Sequence, residues 1–137
     1  MIEKETIKEI LLENRKEIES QQVVHRNIEK EDFANYVLIG VRRAGKSFML
    51  YQQIQDNLKK GITWDSMLYI NFEDERLIGM TAQELNLILE VHGMMSAQRP
   101  ILFLDEIQNI EGWDKFARRL ADNKYRVYIT GSNAKMT

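Results

Sequence analysis

Apolar and polar positions follow two different periods along this chain, and the changes from one period to the other divide it into elements. Runs rich in apolar and β-branched residues occupy positions 36–39, 67–72, 101–104 and 126–130, with lengths typical of strands. The segments between them bring apolar residues back every three or four positions, which predicts amphipathic helices. Because strands and helices alternate, we predict an α/β fold with a parallel sheet and helices on both faces.

Start and stop signals place the helices between the strands. One helix follows position 45 and ends near Lys59 and Lys60, because cations suit the negative end of a helix dipole. Thr81 and Glu84 have the spacing of a capping box and open a helix that runs to about Met95. A shorter helix spans about 112–123 and turns four residues inward, Trp113, Phe116, Ala117 and Leu120.

A further amphipathic helix is predicted over residues 2–19, ahead of the alternating part of the chain. Its narrow apolar stripe consists of Ile7, Ile10, Leu11 and Ile18. Two interpretations remain open, a helix that packs on the flank of the domain and a helix that binds a partner. We therefore divide the chain into an N-terminal helix with its connector, 1–30, and an α/β core, 31–137.

Composition narrows the class of protein. The 137 residues are enough for one domain with a core, and a net charge of −2 gives no support for nucleic-acid binding. The absence of cysteine excludes disulfides and thiolate metal sites. No apolar run approaches the length of a membrane span, about 18 residues, so we expect no membrane partner and a cytoplasmic protein.

A phosphate-binding pattern stands directly after the first apolar run, where positions 40–47 read GVRRAGKS. Glycines in the frame G-x-x-x-x-G-K-[ST] let the backbone turn tightly and bring its N–H groups toward one point. Lys46 can reach the β- and γ-phosphates of a nucleotide, and Ser47 offers a hydroxyl to Mg²⁺. The predicted nucleotide site comprises Gly40, Val41, Arg42, Arg43, Ala44, Gly45, Lys46, Ser47 and Phe48.

Two acidic residues, Asp105 and Glu106, end the third apolar run. Asp105 is suited to hold the water shell of Mg²⁺ near Ser47. Glu106 is suited to orient or deprotonate an attacking water, which favours hydrolysis over transfer to a second substrate. The alternative is an acidic pair that only caps a strand.

Polar residues also follow the fourth run, where the chain reads Thr130, Gly131, Ser132 and Asn133. A polar side chain at this place can contact the γ-phosphate or position water. Ser132 and Asn133 are the first candidates and Thr130 is the third. An ordinary turn from strand to loop is the alternative.

The two histidines are expected outside the chemistry. His25 lies in the connector before the first strand, where we expect a solvated residue, with a nucleotide-base pocket as the alternative. His92 lies on the helix that ends near Met95, and we expect it at the surface or boundary of that helix because no metal-binding residues stand at suitable spacing.

Three segments together resemble the AAA-type P-loop ATPases of bacteria and archaea, namely GVRRAGKS, LDEIQNIEGWDKFARRL and VYITGSNAK. The resemblance covers about residues 35–135, and Gln108, Trp113 and the pair Arg118–Arg119 match as well. It implies ATP with Mg²⁺, and a sheet of strand order 1-4-3-2. It also implies that Lys46 and Glu106 are catalytic, and that Ser47 and Asp105 hold the metal.

The same resemblance implies further parts, which are a fifth strand, a transition-state arginine, a helical lid and a C-terminal domain. We therefore expect an N-terminal fragment of such an ATPase, weak or inactive by itself. None of the arginines at 42, 43, 118 and 119 is assigned as the transition-state arginine; Arg42 and Arg43 lie in the phosphate-binding loop, and Arg118 and Arg119 are as well explained by a solvated helix face. Without a fifth strand, residues 36–39 would form a sheet edge open to self-association, unless the N-terminal helix shields it. That helix is a second candidate for self-association.

Three functions remain open at this point. The first is Mg²⁺-dependent ATP binding, with hydrolysis in the full-length protein. The second is a P-loop kinase acting on a small molecule, against which the Asp105–Glu106 pair and the polar end of the fourth strand argue. The third is a nucleotide-gated interaction module that binds ATP without hydrolysing it.

Overall fold

The structure, a computed structural model, describes residues 1–21, 36–40 and 45–132, and for 36–40 and 132 the backbone alone. Its helices are α1 (Lys4–Ser20), α2 (Lys46–Lys59), α3 (Asn86–Met95) and α4 (Trp113–Asp122). Its strands are β1 (Tyr36–Gly40), β2 (Met67–Asn71), β3 (Ile101–Asp105) and β4 (Val127–Ser132). Each predicted helix and strand is present, and most ends differ from the prediction by one or two residues, but α3 begins about four residues later than the Thr81 capping box predicts.

The four strands form one parallel sheet in the order β1-β4-β3-β2. Parallel neighbours need a crossover between them, which the helices provide. The predicted α/β class with a parallel sheet is therefore confirmed. Within the described sheet, β1 and β2 are the two edge strands.

Alternate residues along the strands separate the core into two clusters, one on each face of the sheet. On one face, Leu68, Leu102 and Val127 with their i+2 neighbours pack under α3 and α4. On the other face, Tyr69, Phe103 and Tyr128 pack under α2. The predicted placement of helices on both faces is confirmed.

Helix α1 packs into this core, as the first of its two interpretations expected. Ile7, Ile10 and Leu11 belong to the cluster under α3 and α4, whereas Ile18 belongs to the cluster under α2. The helix contacts β2, α2 and α3, so it runs past the β2 edge from one face to the other. It therefore does not shield β1, which lies at the opposite edge, so the alternative in which this helix covers β1 is wrong. The apolar stripe of α1 is buried at the β2 side of the sheet.

The capping box at the start of the third helical segment is present. The Thr81 hydroxyl accepts a hydrogen bond from the Glu84 backbone, and the Glu84 carboxylate accepts one from the Thr81 backbone. A short 3₁₀ turn, Ala82–Leu85, precedes α3. Two apolar side chains of α4, Phe116 and Leu120, are buried as predicted, and Trp113 and Ala117 pack against the same cluster.

His92 departs from its prediction, since it is buried rather than placed at a helix surface. Its side chain is 1% exposed, and Nε2 lies 2.9 Å from the carbonyl oxygen of Asp65. Burial lowers the pKa of His92, and the Arg15 guanidinium on α1 lowers it further, while the contact with Asp65 acts in the opposite direction. The segment before β2 covers this side of α3, which the periodicity of α3 alone does not reveal.

Candidate functional site

The candidate site lies at the carboxyl edge of the sheet, where parallel strands end side by side. Gly40 pairs in register with Ser132, and Asn71 pairs with Asp105, so the last residues of neighbouring strands are adjacent. Helix α2 begins at Lys46, close to the same edge. In open parallel sheets, ligands bind in the crevice outside this edge.

The start of α2 depends on a glycine. Gly45 precedes the helix with a φ of 82°, a left-handed conformation that residues with a Cβ rarely adopt. Lys46 follows, and its side chain is only 7% exposed. The Lys46 ammonium donates a hydrogen bond to the carbonyl oxygen of Gly131 in β4. The Lys46 ammonium thus lies against the end of β4. The first turn of α2, which starts at Lys46, has backbone N–H groups without a partner inside the helix.

Asp105 lies at the centre of the site and is 1% exposed. The Ser47 hydroxyl donates to its Oδ2 over 2.6 Å, and the Tyr69 hydroxyl donates to the same oxygen. The Thr130 hydroxyl donates to the other oxygen, Oδ1. All three donors are neutral. Among the described residues, no salt bridge joins a cationic side chain to this carboxylate.

Tyr69 is a buried residue of β2 with a perturbed hydroxyl. Burial raises the pKa of Tyr69 well above its usual range, and the negative charge of Asp105 raises it further. The phenol therefore remains a hydrogen-bond donor at neutral pH. Its ring packs edge-on against Tyr51 of α2, with 5.4 Å between the ring centroids.

Glu106 has an unusual backbone and a tethered side chain. It adopts φ 54° and ψ 47°, a left-handed conformation that is uncommon for residues other than glycine. Its N–H donates to the Thr130 hydroxyl over 2.9 Å, and its carboxylate accepts a hydrogen bond from Gln108 over 3.0 Å. Left-handed residues of this kind cost roughly 1–3 kcal/mol and cluster at functional sites. Glu106 is 5% exposed, so both carboxylates of the pair are buried.

The structure brings some of the predicted residues together and leaves others undescribed. Lys46, Ser47 and Asp105 meet at the carboxyl edge, with Glu106 next to Asp105 along the chain. Phe48 is half-exposed on α2, and its ring meets Tyr51 edge-on. For Gly40 and Ser132 the structure describes the backbone alone. Six predicted residues lie outside the described ranges, namely His25, Val41, Arg42, Arg43, Ala44 and Asn133.

Comparison with known families agrees with this geometry. A family model described as an AAA domain matches residues 32–137, which is most of the chain. The chain belongs to the AAA domain family. The match covers β1 to β4 and every residue of the candidate site.

Two relatives of this AAA domain have uncharacterised functions. A protein of Methanocaldococcus jannaschii is 40% identical over 139 aligned residues, covering 99% of this chain and 30% of the relative. A protein of Haemophilus influenzae is 41% identical over 104 residues, covering 73% of this chain and 26% of the relative. The AAA domain thus spans less than a third of the length of either relative.

Three residues of the site were missed or undervalued by sequence reasoning. Thr130 was ranked third, yet it contacts both Asp105 and Glu106. Gln108 was noted only as part of a resemblance, and Tyr69 only as part of a strand. A signal did exist for Tyr69, since it carries a hydroxyl between the apolar residues Leu68 and Ile70, two residues before the end of β2.

Proposed function

We propose that this AAA domain binds ATP with Mg²⁺ and that, within a longer protein, it contributes the hydrolytic site of an ATPase. One observation carries the proposal. The first residues of α2 and the last residue of β3 meet through the hydrogen bond from Ser47 to Asp105, 2.6 Å long. A hydroxyl at a helix start and a carboxylate at a strand end are the protein groups that P-loop enzymes use beside a nucleotide.

The phosphates would lie at the start of α2. Free N–H groups and the positive end of the helix dipole favour an anion there. Lys46 already lies against the end of β4, and exchange of its bond with Gly131 for a phosphate oxygen would need only a change in its flexible side chain. We assign phosphate binding to Lys46 and to positions 40–48.

The donor chemistry of the site suits Mg²⁺. Asp105 is a buried anion whose bonds come from neutral hydroxyls, so a cation would supply charge that the described residues do not. Within the described part of the chain, no group of three or more His, Asp or Glu residues could hold a metal. Mg²⁺ commonly keeps waters and substrate phosphates as ligands and takes few from protein, which fits Ser47 and Asp105. When bound, Mg²⁺ neutralises charge on the phosphates.

Glu106 is the proposed group that orients or deprotonates the attacking water. It follows Asp105 directly, and at Glu106 the backbone leaves the extended conformation of β3 for a left-handed one. Thr130 supports this backbone through the Glu106 N–H, and Gln108 holds the carboxylate. Ser132 and Asn133 remain proposed contacts to the γ-phosphate or to the water.

Nucleotide binding by the Lys46→Ala variant tests this proposal. Because Lys46 supplies the cation beside the phosphates, we expect ATP binding in calorimetry to be abolished. Lys59→Ala is the matched control, since Lys59 is an exposed lysine at the far end of the same helix and its loss should leave ATP affinity unchanged. Equal ATP affinity in the wild type and Lys46→Ala would refute the proposal.

A phosphate-release assay with and without small-molecule acceptors separates hydrolysis from the kinase alternative. The buried Glu106 places a second carboxylate beside Asp105. Because such a carboxylate can orient or deprotonate a water, water is favoured as the acceptor of the phosphoryl group. We expect phosphate release to be independent of added acceptor. Release that depends on an added alcohol or amine would favour the kinase.

A further inference from the structure

We propose that Tyr69 is a positioning residue, whose hydroxyl fixes the Asp105 carboxylate in the orientation that serves Ser47 and the metal. The inference rests on the proposed function, because the metal and the nucleotide belong to that proposal. It adds a residue of β2 to a site otherwise built from α2, β3 and β4.

The hydrogen bonds at Asp105 give Tyr69 a distinct task. Oδ1 accepts from Thr130, and Oδ2 accepts from both Ser47 and Tyr69. The terminal torsion of an aspartate is broad, so a donor on each oxygen is needed to fix the plane of the carboxylate. Ser47 is the residue whose oxygen would also meet the metal, whereas the Tyr69 hydroxyl is a donor on Oδ2 that contacts the carboxylate and the Tyr51 side chain and is not a proposed metal ligand.

The chemistry of the phenol suits this task. A neutral donor orients the carboxylate and leaves its negative charge available to a cation, whereas a lysine or arginine at the same place would cancel that charge. Groups that hydrogen-bond a ligand of a metal, or a carboxylate close to it, commonly tune metal affinity in this way.

Packing makes Tyr69 a rigid support. Its side chain is 2% exposed, and its ring meets Tyr51 edge-on. Tyr69 pairs in register with Phe103, two residues before Asp105, so the ring lies on the same face of the sheet as that carboxylate. The orientation of the hydroxyl is thus set by the sheet and by α2 together.

The test measures metal affinity separately from nucleotide affinity in the wild type, Tyr69→Phe and Tyr128→Phe. Tyr128 is the matched control, because it is buried in the same cluster, stacks on Phe103 at 4.7 Å and pairs with it from the other side. Each protein is saturated with ATP and titrated with Mn²⁺, with free Mn²⁺ followed by electron paramagnetic resonance. A parallel calorimetric titration measures ATP binding in EDTA.

We expect Tyr69→Phe to weaken Mn²⁺ binding by about tenfold or more, as is usual for lost outer-shell hydrogen bonds. Its ATP affinity in EDTA should match the wild type, because Lys46 and the loop are intact. Tyr128→Phe should behave as wild type in both titrations. Thr130→Val, which removes the donor on Oδ1, is a second variant that should also weaken Mn²⁺ binding.

The outcomes separate this inference from the proposed function. If the wild type does not bind ATP with Mn²⁺, both are wrong. If the wild type binds them and Tyr69→Phe retains the same Mn²⁺ affinity, only the positioning role is wrong. The same conclusion follows if Tyr69→Phe and Tyr128→Phe lose affinity equally in both titrations, since that result indicates a general packing defect.

Discussion

At the carboxyl edge of the sheet the buried side chains are polar, whereas on the face that α1, α3 and α4 cover they are apolar. Five polar residues are buried at this edge, at the start of α2 and near the ends of β3 and β4, namely Lys46, Asp105, Glu106, Gln108 and Thr130. The covered face buries leucine, isoleucine, valine and phenylalanine almost throughout. Both regions belong to the same sheet and share its strands.

The difference teaches where stability and chemistry come from in this AAA domain. Burial of apolar surface contributes about 25 cal/mol per Å² to folding. A buried polar group costs free energy unless it is hydrogen-bonded, and a bonded one contributes little net stability. We therefore expect variants at the edge to change binding or turnover, and variants on the covered face to change the free energy of unfolding.

The largest expected effect is on turnover, in Glu106→Gln. Since a general base contributes about 10²–10⁴ in rate, we expect kcat to fall by that factor while ATP affinity stays as in the wild type. Phosphate release should be measured in the longest form of the protein that hydrolyses ATP, with calorimetry for binding. Glu111→Gln is the control, because Glu111 is an exposed carboxylate nearby in the chain. Full turnover in Glu106→Gln would exclude the assigned role.

A stability effect of similar size is expected on the covered face, in Ile10→Ala. Ile10 is fully buried on α1, and such truncations cost about 2–5 kcal/mol through lost burial and the cavity left behind. Urea unfolding measures the loss, and ATP affinity of the folded variant should be unchanged. Leu12→Ala, at a half-exposed neighbour on the same helix, should cost much less. Equal costs for the two variants would show that α1 is not part of the core.

Asp105→Asn should change metal-dependent binding without lowering the free energy of unfolding. The amide removes a buried charge that the described residues do not pair with a cation, so we expect the unfolding free energy to be maintained or to rise by about 0.5–2 kcal/mol. Metal-dependent ATP binding should be lost. A strong destabilisation would indicate that the carboxylate mainly supports the fold, and the comparison between edge and face would then fail.

The smallest expected effect is a pH dependence of the unfolding free energy, caused by the buried His92 of α3. The unfolded histidine has a pKa of about 6.5, and burial lowers the pKa in the folded state. Below about pH 6.5 the unfolded state therefore binds more protons, so stability is complete above that pH and decreases as the pH falls. Urea unfolding between pH 7.5 and about 5 should show a shallower decrease in His92→Gln. His25→Gln measures the contribution of the other histidine.

Much of this fold follows from local patterns. The order of strands and helices depends on periodicity, and the capping box of Thr81 and Glu84 depends on a spacing of three, so both can be predicted from the sequence. The meeting of Ser47 with Asp105 follows as well, because parallel strands and the following helix starts share one edge.

The remaining features depend on contacts between distant segments. Tyr69 reaches Asp105 only because β2 lies beside β3, and Thr130 reaches it only because β4 lies on the other side. His92 is buried because Asp65, far from it in the chain, covers that side of α3. No single stretch of sequence contains these pairs, so a residue-by-residue pattern gives them too little importance.

The path of α1 past the β2 edge has a practical consequence for dissecting this protein. The match to the family model begins at residue 32, but the packed core begins with α1. Ile7, Ile10, Leu11 and Ile18 close both clusters, and Gln55 of α2 donates hydrogen bonds to the carbonyl groups of Ile18 and Gln21 at the end of α1. A piece cut at residue 32 would expose apolar surface on both faces of the sheet, so the residues that the family model matches are fewer than the residues that pack together.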